Sequence, residues 1–404
     1  MNSIKKYLPK ITLSILMVMA FAMPIHLRIM PVLIILFIVF NLIDGIINRT
    51  FVFNNKKFVI IGILFYLVHL ISVSYSKYRG AAWFDMEVKL SLIVFPLIFL
   101  LKNPLTIKRK KWVLYSFVVG SIVSSIIMLA FAYFRFNGRN NYVFYYTELG
   151  LFHPSYMSMY FIFAILIIIR MIDKDIKKLS TRIIAYITIV FLLVLIFQLQ
   201  SKAGILSIIF ISIYYLVFAF IRSNPILLRT SFLVLAVSLS LIFIQKESRL
   251  QGMARSVETI KKEGHTSGST GVRYSMWVIT SQDLKNHWLT GVGAGDIKPE
   301  LFIIYQEKGL TEAIKGNFNI HNQYLETFYG QGIAGISLLL LLLFMGLREA
   351  LKRKELIMSG FIILITLSFG PESMLNSQMG VVFFSFFYYF LFSFTLDTKK
   401  LQSH

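Results

Sequence analysis

The stretch "FNIHNQYLETFYGQGIAGISLLLLLLF", residues 318–344, has two halves suited to different solvents. The second half is almost continuous leucine and fits a hydrocarbon layer. The first half opens with His321, Asn322, Gln323 and Tyr324, groups that need water or hydrogen-bond partners. A membrane helix with a polar, titratable mouth is the pattern to be explained.

The same apolar character extends over the chain. Of 404 residues, 57% are hydrophobic, with a mean hydropathy of +0.72. A soluble domain rarely exceeds about half apolar. Apolar runs near 11–25, 29–47, 58–74, 84–101, 112–134, 155–171, 182–200, 204–221, 226–244, 319–347, 356–369 and 379–396 predict about twelve spans. The expected fold is an all-α polytopic membrane protein, one membrane domain over residues 1–404. The first run, "LPKITLSILMVMAFAMPIHL", lacks a small-residue cleavage site and reads as the first span. Cysteine is absent, which excludes disulfides and thiolate metal sites.

A net charge of +22 raises the question of nucleic acid. The cations answer it by their placement. Lys5, Lys6 and Lys10 precede the first run, and "KNPLTIKRKK" (102–111), "RMIDKDIKKLSTR" (170–182), "REALKRKE" (348–355) and "LDTKK" (396–400) fall in alternate loops. The loops between them are poor in Lys and Arg, and "PESMLNSQM" (371–379) has none. This is the positive-inside pattern, and it puts both termini in the cytoplasm. No basic patch interleaved with aromatics appears, so no nucleic-acid partner is expected.

One long polar segment interrupts the spans. Residues 246–318, between spans nine and ten, are expected to form a periplasmic loop, and a loop of this length is expected to carry function. Its ten basic and eight acidic residues nearly balance. "SVETIKKEGHTSGSTG" reads as a helix followed by a flexible turn, "VRYSMWVITSQDLKNHW" as a second helix with Val272, Met276, Ile279 and Asp283 on one side, and "IKPELFIIYQEKGLTEAI" as a third short helix. Trp277 and Trp288 are candidate interface anchors. Elsewhere, Asp85 and Lys89 are spaced to pair across one helical turn.

The groups expected at the outer face are His153, Lys202, Arg273 and His321. Two cations and a histidine at a membrane boundary suit an anionic lipid headgroup, above all a lipid pyrophosphate: Arg holds phosphate oxygens in a fork, and Lys supplies a point charge. The helix N-terminus beneath His321 adds unpaired N–H groups, and histidine accepts protons near neutral pH. Each residue also has a purely structural reading. His321 and Asn322 would cap a helix, Arg273 would pair with a loop acid, and Lys202 would snorkel from its turn. His153, ahead of Pro154, would open a helix, while Tyr274 and Trp277 would pack or anchor. Glu372 would line the acceptor side or cap a helix.

"SKAG" (201–204), "GVRYSMW" (271–277), "GVGAGD" (291–296) and "HNQYLETFYGQGIAG" (321–335), in this order around a long outer loop, resemble the O-antigen ligase and polymerase superfamily. "HPSYMSMY" (153–160) and "PESMLNSQMGVVFFSFFYYF" (371–390) are similar to segments of its members as well. The resemblance implies a GT-C-like glycosyltransferase of the bacterial inner membrane with its active site on the periplasmic side. Such enzymes move a glycan from undecaprenyl pyrophosphate to an acceptor such as lipid A–core, are inverting, and use no metal or cofactor. By the same resemblance His321 serves at the reacting centre, and Arg273 and Lys202 hold the pyrophosphate. Lysine at 202 departs from the arginine usual there. Asn322, His153 and Tyr274 are candidates for supporting or sugar contacts.

Three alternatives stay open on the sequence. The acceptor of a polymerase is another lipid-linked repeat; that of a protein-glycosylating relative is a Ser or Thr side chain. A transporter or flippase belongs to a different class and would place ionisable groups or broken helices near the bilayer midplane, where most spans here are uncharged.

Overall fold

The computed structural model describes residues 2–48, 56–100, 107–136, 138, 141–244 and 269–393. Among these residues every regular element is helical. The helices are α1 (Asn2–Ala22), α2 (Met30–Asn48), α3 (Lys56–Tyr75), α4 (Arg79–Lys89), α5 (Ser91–Leu100), α6 (Ile107–Arg135), α7 (Tyr146–Leu149), α8 (Pro154–Lys174), α9 (Leu179–Gln198), α10 (Lys202–Ile221) and α11 (Pro225–Ile244). After the long polar segment come α12 (Ser269–His287), α13 (Ile297–Glu307), α14 (Thr311–Lys315), α15 (Gln323–Arg353), α16 (Leu356–Phe369) and α17 (Gln378–Ser393).

Eight of these helices, among the described residues, are long and apolar enough to cross a membrane. The expected twelve adds α1, the α4–α5 pair, α16 and α17. Of these, α1 carries three lysines and the others are shorter. Large apolar side chains such as Ile71, Ile187, Val217 and Phe232 face outward, as in a bundle whose solvent is lipid. The chain is therefore a helical, multi-pass membrane protein.

α8 is the axis of the bundle: 89% of its apolar window is buried, against 28–50% for the other seven. Aromatic side chains fill the space around it. Phe163 of α8 meets Phe387 and Phe383 of α17, Phe117 of α6 and Phe361 of α16, with ring centroids 4.6–5.5 Å apart. Such tilted and edge-on pairs contribute about 0.5–1.5 kcal/mol each beyond simple burial. This packing holds α8 against α6, α16 and α17.

Two spans differ from the simple reading. The run expected at 84–101 is two helices meeting at Leu90. Its charged first half is pinned by Lys89, which pairs with Asp85 as expected and also donates to Asn376 Oδ1 at 3.3 Å. α15 is broken at Gly332, whose φ of 61° and ψ of −159° leave the helical region. The freed backbone groups are used by the segment after α12: Val292 N–H donates to Tyr329 O at 2.9 Å, Gly293 N–H to Gly330 O at 3.0 Å, and Ile333 N–H to Trp288 O at 2.9 Å. A Cβ on residue 332 would stand 2.3 Å from Leu289 O, so only glycine fits.

The polar segment has its own small core. Val272, Met276 and Leu284 of α12 pack with Ile297, Leu301 and Tyr305 of α13, Ala313 of α14, Ile320, and Tyr329 of α15. Asp283 accepts from Tyr329 Oη at 2.7 Å. The second expected helix is α12, which already includes Ser269–Gly271. The third is two pieces, α13 and α14, separated by Lys308–Leu310. The first expected helix, in 256–268, and the basic stretch 396–400 lie outside the described residues. The "GVGAGD" turn docks on the α3–α4 corner. The Asp296 carboxylate accepts from the N–H groups of Lys77 at 2.8 Å and Tyr78 at 2.9 Å, and Gly295 N–H donates to Ser76 Oγ at 3.2 Å.

Candidate functional site

The site is built on a carboxylate. Glu372 lies in the loop between α16 and α17, with its side chain only 6% exposed. Three donors from three other parts of the chain converge on it. Ser155 Oγ, in the first turn of α8, donates to Oε1 at 2.9 Å. Arg273 Nη2, in the second turn of α12, donates to the same oxygen at 2.9 Å. His321 Nδ1 donates to Oε2 at 3.0 Å. Burial alone would push this carboxyl's pKa up. The His321 hydrogen bond and the charges of Arg273, His321 and His153 outweigh it and hold the value at about 2. Glu372 is thus a carboxylate, which only accepts hydrogen bonds. His321 Nδ1 therefore carries a proton, and Nε2 is the ring nitrogen not engaged by this carboxylate.

Local structure explains why His321 is held there. Its φ of 50° lies in the left-handed region, uncommon for a non-glycine residue. Neighbouring bonds impose that conformation. His321 N–H donates to Asn319 Oδ1 at 3.0 Å, Ile320 N–H to Glu326 Oε2 at 3.2 Å, and Trp277 Nε1 to Ile320 O at 2.8 Å. Phe318 packs edge-on to the imidazole at 5.5 Å. Asn322 is the N-cap of α15, its Oδ1 accepting from Leu325 N–H at 3.1 Å. Its role is therefore to start the helix, and it holds the ring only through the backbone. Trp277 is a strut between α12 and the His321 turn, while Trp288 is exposed.

The loop carrying Glu372 is stitched to the first turns of α15. Ser373 Oγ donates to Glu326 Oε2 at 3.0 Å, Asn376 Nδ2 to Glu326 Oε1 at 2.7 Å, and Leu375 N–H to Gln323 Oε1 at 2.7 Å. Glu326 is buried and fully engaged. The His321 turn and the Glu372 loop thus form one rigid unit, as a positioned site requires.

His153 precedes Pro154 and caps α8 by backbone only. Burial pushes the pKa of its ring down, Glu372 opposes this, and Arg273 and His321 add to the fall. Its Nδ1 is buried without a hydrogen-bond partner. Lys202 opens α10, where Ser201 Oγ caps the helix by accepting from Gly204 N–H at 3.1 Å. A Cβ at Gly204 would stand 2.5 Å from Ser158 Cβ, so the head of α10 abuts the second turn of α8. Tyr274 is exposed beside Arg273. Arg273 and His321 therefore share one partner with His153 nearby, and Lys202 heads the adjoining helix.

Beside this cluster, at the same end of the bundle, a cleft of ≈ 710 Å³ is bordered by His26, Arg28, Phe152, Ser377 and Gln378. Gln378 also borders an apolar groove of ≈ 180 Å³ between α2, α4–α5 and α17, lined by Met30, Ile34, Val88 and Val382. The cleft, whose largely apolar wall of Ile25, Ile127, Phe131 and Leu151 carries the polar groups of His26, Arg28, Ser377 and Gln378, thus adjoins an apolar slot at Gln378.

Sequence reasoning left Glu372 undecided and did not reach Ser155 or Glu326. A lone acid in a loop without cations was the available signal for the first.

No curated protein matches the chain. The O-antigen ligase family does, over residues 187–340. That segment begins in α9 and ends in α15, so it contains Lys202, Arg273 and His321 but not Glu372 or His153. The match to the segment that carries these three residues supports the O-antigen ligase and polymerase superfamily.

Proposed function

We propose that the protein is a glycosyltransferase that moves a glycan from undecaprenyl pyrophosphate to an acceptor hydroxyl, such as one on lipid A–core, at the periplasmic face of the bacterial inner membrane. One observation carries this reading: Arg273 and His321 meet on a single buried carboxylate, Glu372, within a segment of the ligase family. The acceptor O–H gives its proton to Nε2 of His321 while its oxygen attacks the anomeric carbon. The bond from that carbon to the diphosphate oxygen breaks, and the electron pair leaves on the diphosphate. Attack opposite the leaving group inverts the centre. Glu372 keeps the proton on Nδ1 and stabilises the imidazolium that forms. Only Nη2 of the Arg273 guanidinium is engaged by Glu372, so its remaining N–H groups suit a diphosphate oxygen. Lys202 adds a second cation from the head of α10. Fixed cations of this kind stabilise the charge developing on the leaving group without a metal.

The geometry of the flank favours a lipid-linked donor. The groove lined by Met30, Ile34 and Val382 suits an isoprenoid chain, and the cleft with His26 and Arg28 suits the sugar–phosphate end. His321 meets a water-soluble sugar while its helix meets lipid, because the donor belongs to both phases.

The test is incubation of the purified protein, in chelator, with polyprenyl diphosphate glycan and either lipid A–core or a second molecule of donor. New glycan on lipid A–core is the expected product. Product formed only on the second donor would make the protein a polymerase. Passage of labelled donor across vesicles with no new glycosidic bond would replace both readings by transport.

A further inference from the structure

A second group of charges surrounds a cavity at the opposite end of α8. The rise from His153 to Arg170 places it roughly 25 Å from the cluster around Glu372. This cavity of ≈ 250 Å³ lies between α6, α8, α16 and α17 and has an apolar floor that includes Leu114, Ile167, Met358 and Phe390. Its rim carries Lys110, Lys111 and Arg170, together with Asp175 and Glu355. Asp175 is already engaged: Lys111 pairs with it, and Tyr115 Oη donates to its Oδ2 at 2.8 Å. Arg170 Nη1 is 3.7 Å from that carboxylate, an ion pair too long for a hydrogen bond. The same nitrogen is buried and has no hydrogen-bond acceptor. Buried guanidinium N–H groups are normally paired, so this one calls for an anionic oxygen in the cavity.

The loops at this end are the Lys/Arg-rich ones, which the positive-inside rule assigns to the cytoplasm. An apolar floor under a cationic rim at the membrane boundary matches an amphiphile with a phosphate head. We propose that this cavity binds an anionic glycerophospholipid of the cytoplasmic leaflet, with its phosphate on Arg170 and Lys111 and one acyl chain along Leu114, Ile167 and Met358. The site is separate from the transfer chemistry, and its test does not depend on that reading.

Native mass spectrometry of the detergent-purified protein, titrated with phosphatidylglycerol or phosphatidylcholine of matched chains, measures it. Phosphatidylglycerol is expected to bind more tightly. Arg170→Gln should weaken it about five-fold, the effect of one cation near a membrane surface. Met358→Trp, which fills the floor and leaves every charge in place, should weaken it too. Unchanged melting curves show that each variant is folded. Equal binding of the two lipids would overturn the proposal, as would an undiminished preference in both variants. Inorganic phosphate displacing phosphatidylglycerol at equal concentration would show a free-anion site instead.

Discussion

The carboxylate of Glu372 lies 3.0 Å from Nδ1 of His321, although 51 residues separate them in sequence. Because hydrogen bonding and nearby cations outweigh burial and keep Glu372 ionised, the pair has one arrangement: the ring donates through Nδ1 to the carboxylate. Arg273, on the other oxygen, ties α12 to the same carboxylate.

Replacing Glu372 by glutamine keeps the shape and removes the charge. A neutral amide accepts or donates, so the ring tautomer is no longer fixed. Transfer is expected to fall about 10²–10⁴-fold in kcat, with a smaller effect on KM for the donor. Steady-state kinetics with purified variant and wild type measure the split; equal losses in folding and in donor affinity would instead mark Glu372 as structural.

Acid should weaken the fold through the same group. The folded-state pKa of Glu372 is depressed to about 2 from the ordinary carboxyl value of 4.5. A depressed carboxyl stabilises the fold above its unfolded pKa, and that stability is lost as pH falls through the folded value. The contribution is on the order of 3 kcal/mol. Melting temperature in detergent should therefore drop between about pH 4.5 and 2, and Glu372→Gln should flatten that part of the curve. A wild-type and a variant curve that run parallel through this window would show that Glu372 is not responsible.

Arg273 separates charge from geometry. Arg273→Ala removes both the bond to Glu372 and the proposed phosphate fork, and donor turnover should fall by about 10²-fold or more. Arg273→Lys restores the charge without the fork and should recover only part of the loss. Full recovery by lysine would show that a point charge suffices, as the presence of Lys202 in the adjoining helix would then suggest for both positions.

Gly332 is a test of the fold. Alanine there would need a backbone conformation essentially reserved for glycine and a Cβ 2.3 Å from Leu289 O. Gly332→Ala should destabilise the protein by at least about 1–3 kcal/mol and loosen the pairing of residues 288–293 with α15. Thermal unfolding, with proteolysis in the 288–293 segment as a local readout, measures both.

Much of the architecture follows from sequence because lipid imposes long apolar helices on any chain that crosses it. Helices occur at every predicted run. The break at Leu90 escaped because a run that is apolar on average hides the three charges in its first half. The break at Gly332 escaped because glycine is also tolerated inside helices, and only the approach of Leu289 distinguishes the two cases. Arg273 and His321 were legible because each sits in a local motif at a helix start. Glu372 lies in the stretch 371–390 that resembles the superfamily, but in a loop rather than at a helix start, which left its role open between lining the acceptor side and capping a helix. Its partners His321, Arg273 and Ser155 lie 51, 99 and 217 residues away, so only the packing of α8, α12 and α15 around one loop gives it a role.

The most direct measurement is the rate of glycan transfer from polyprenyl diphosphate to acceptor by purified His321→Ala beside wild type, at saturating donor and with melting curves to confirm folding. With His321 as the base held by Glu372, the wild type transfers glycan and the variant is slower by about 10²–10⁴-fold. Wild-type transfer that persists undiminished in His321→Ala would contradict the account.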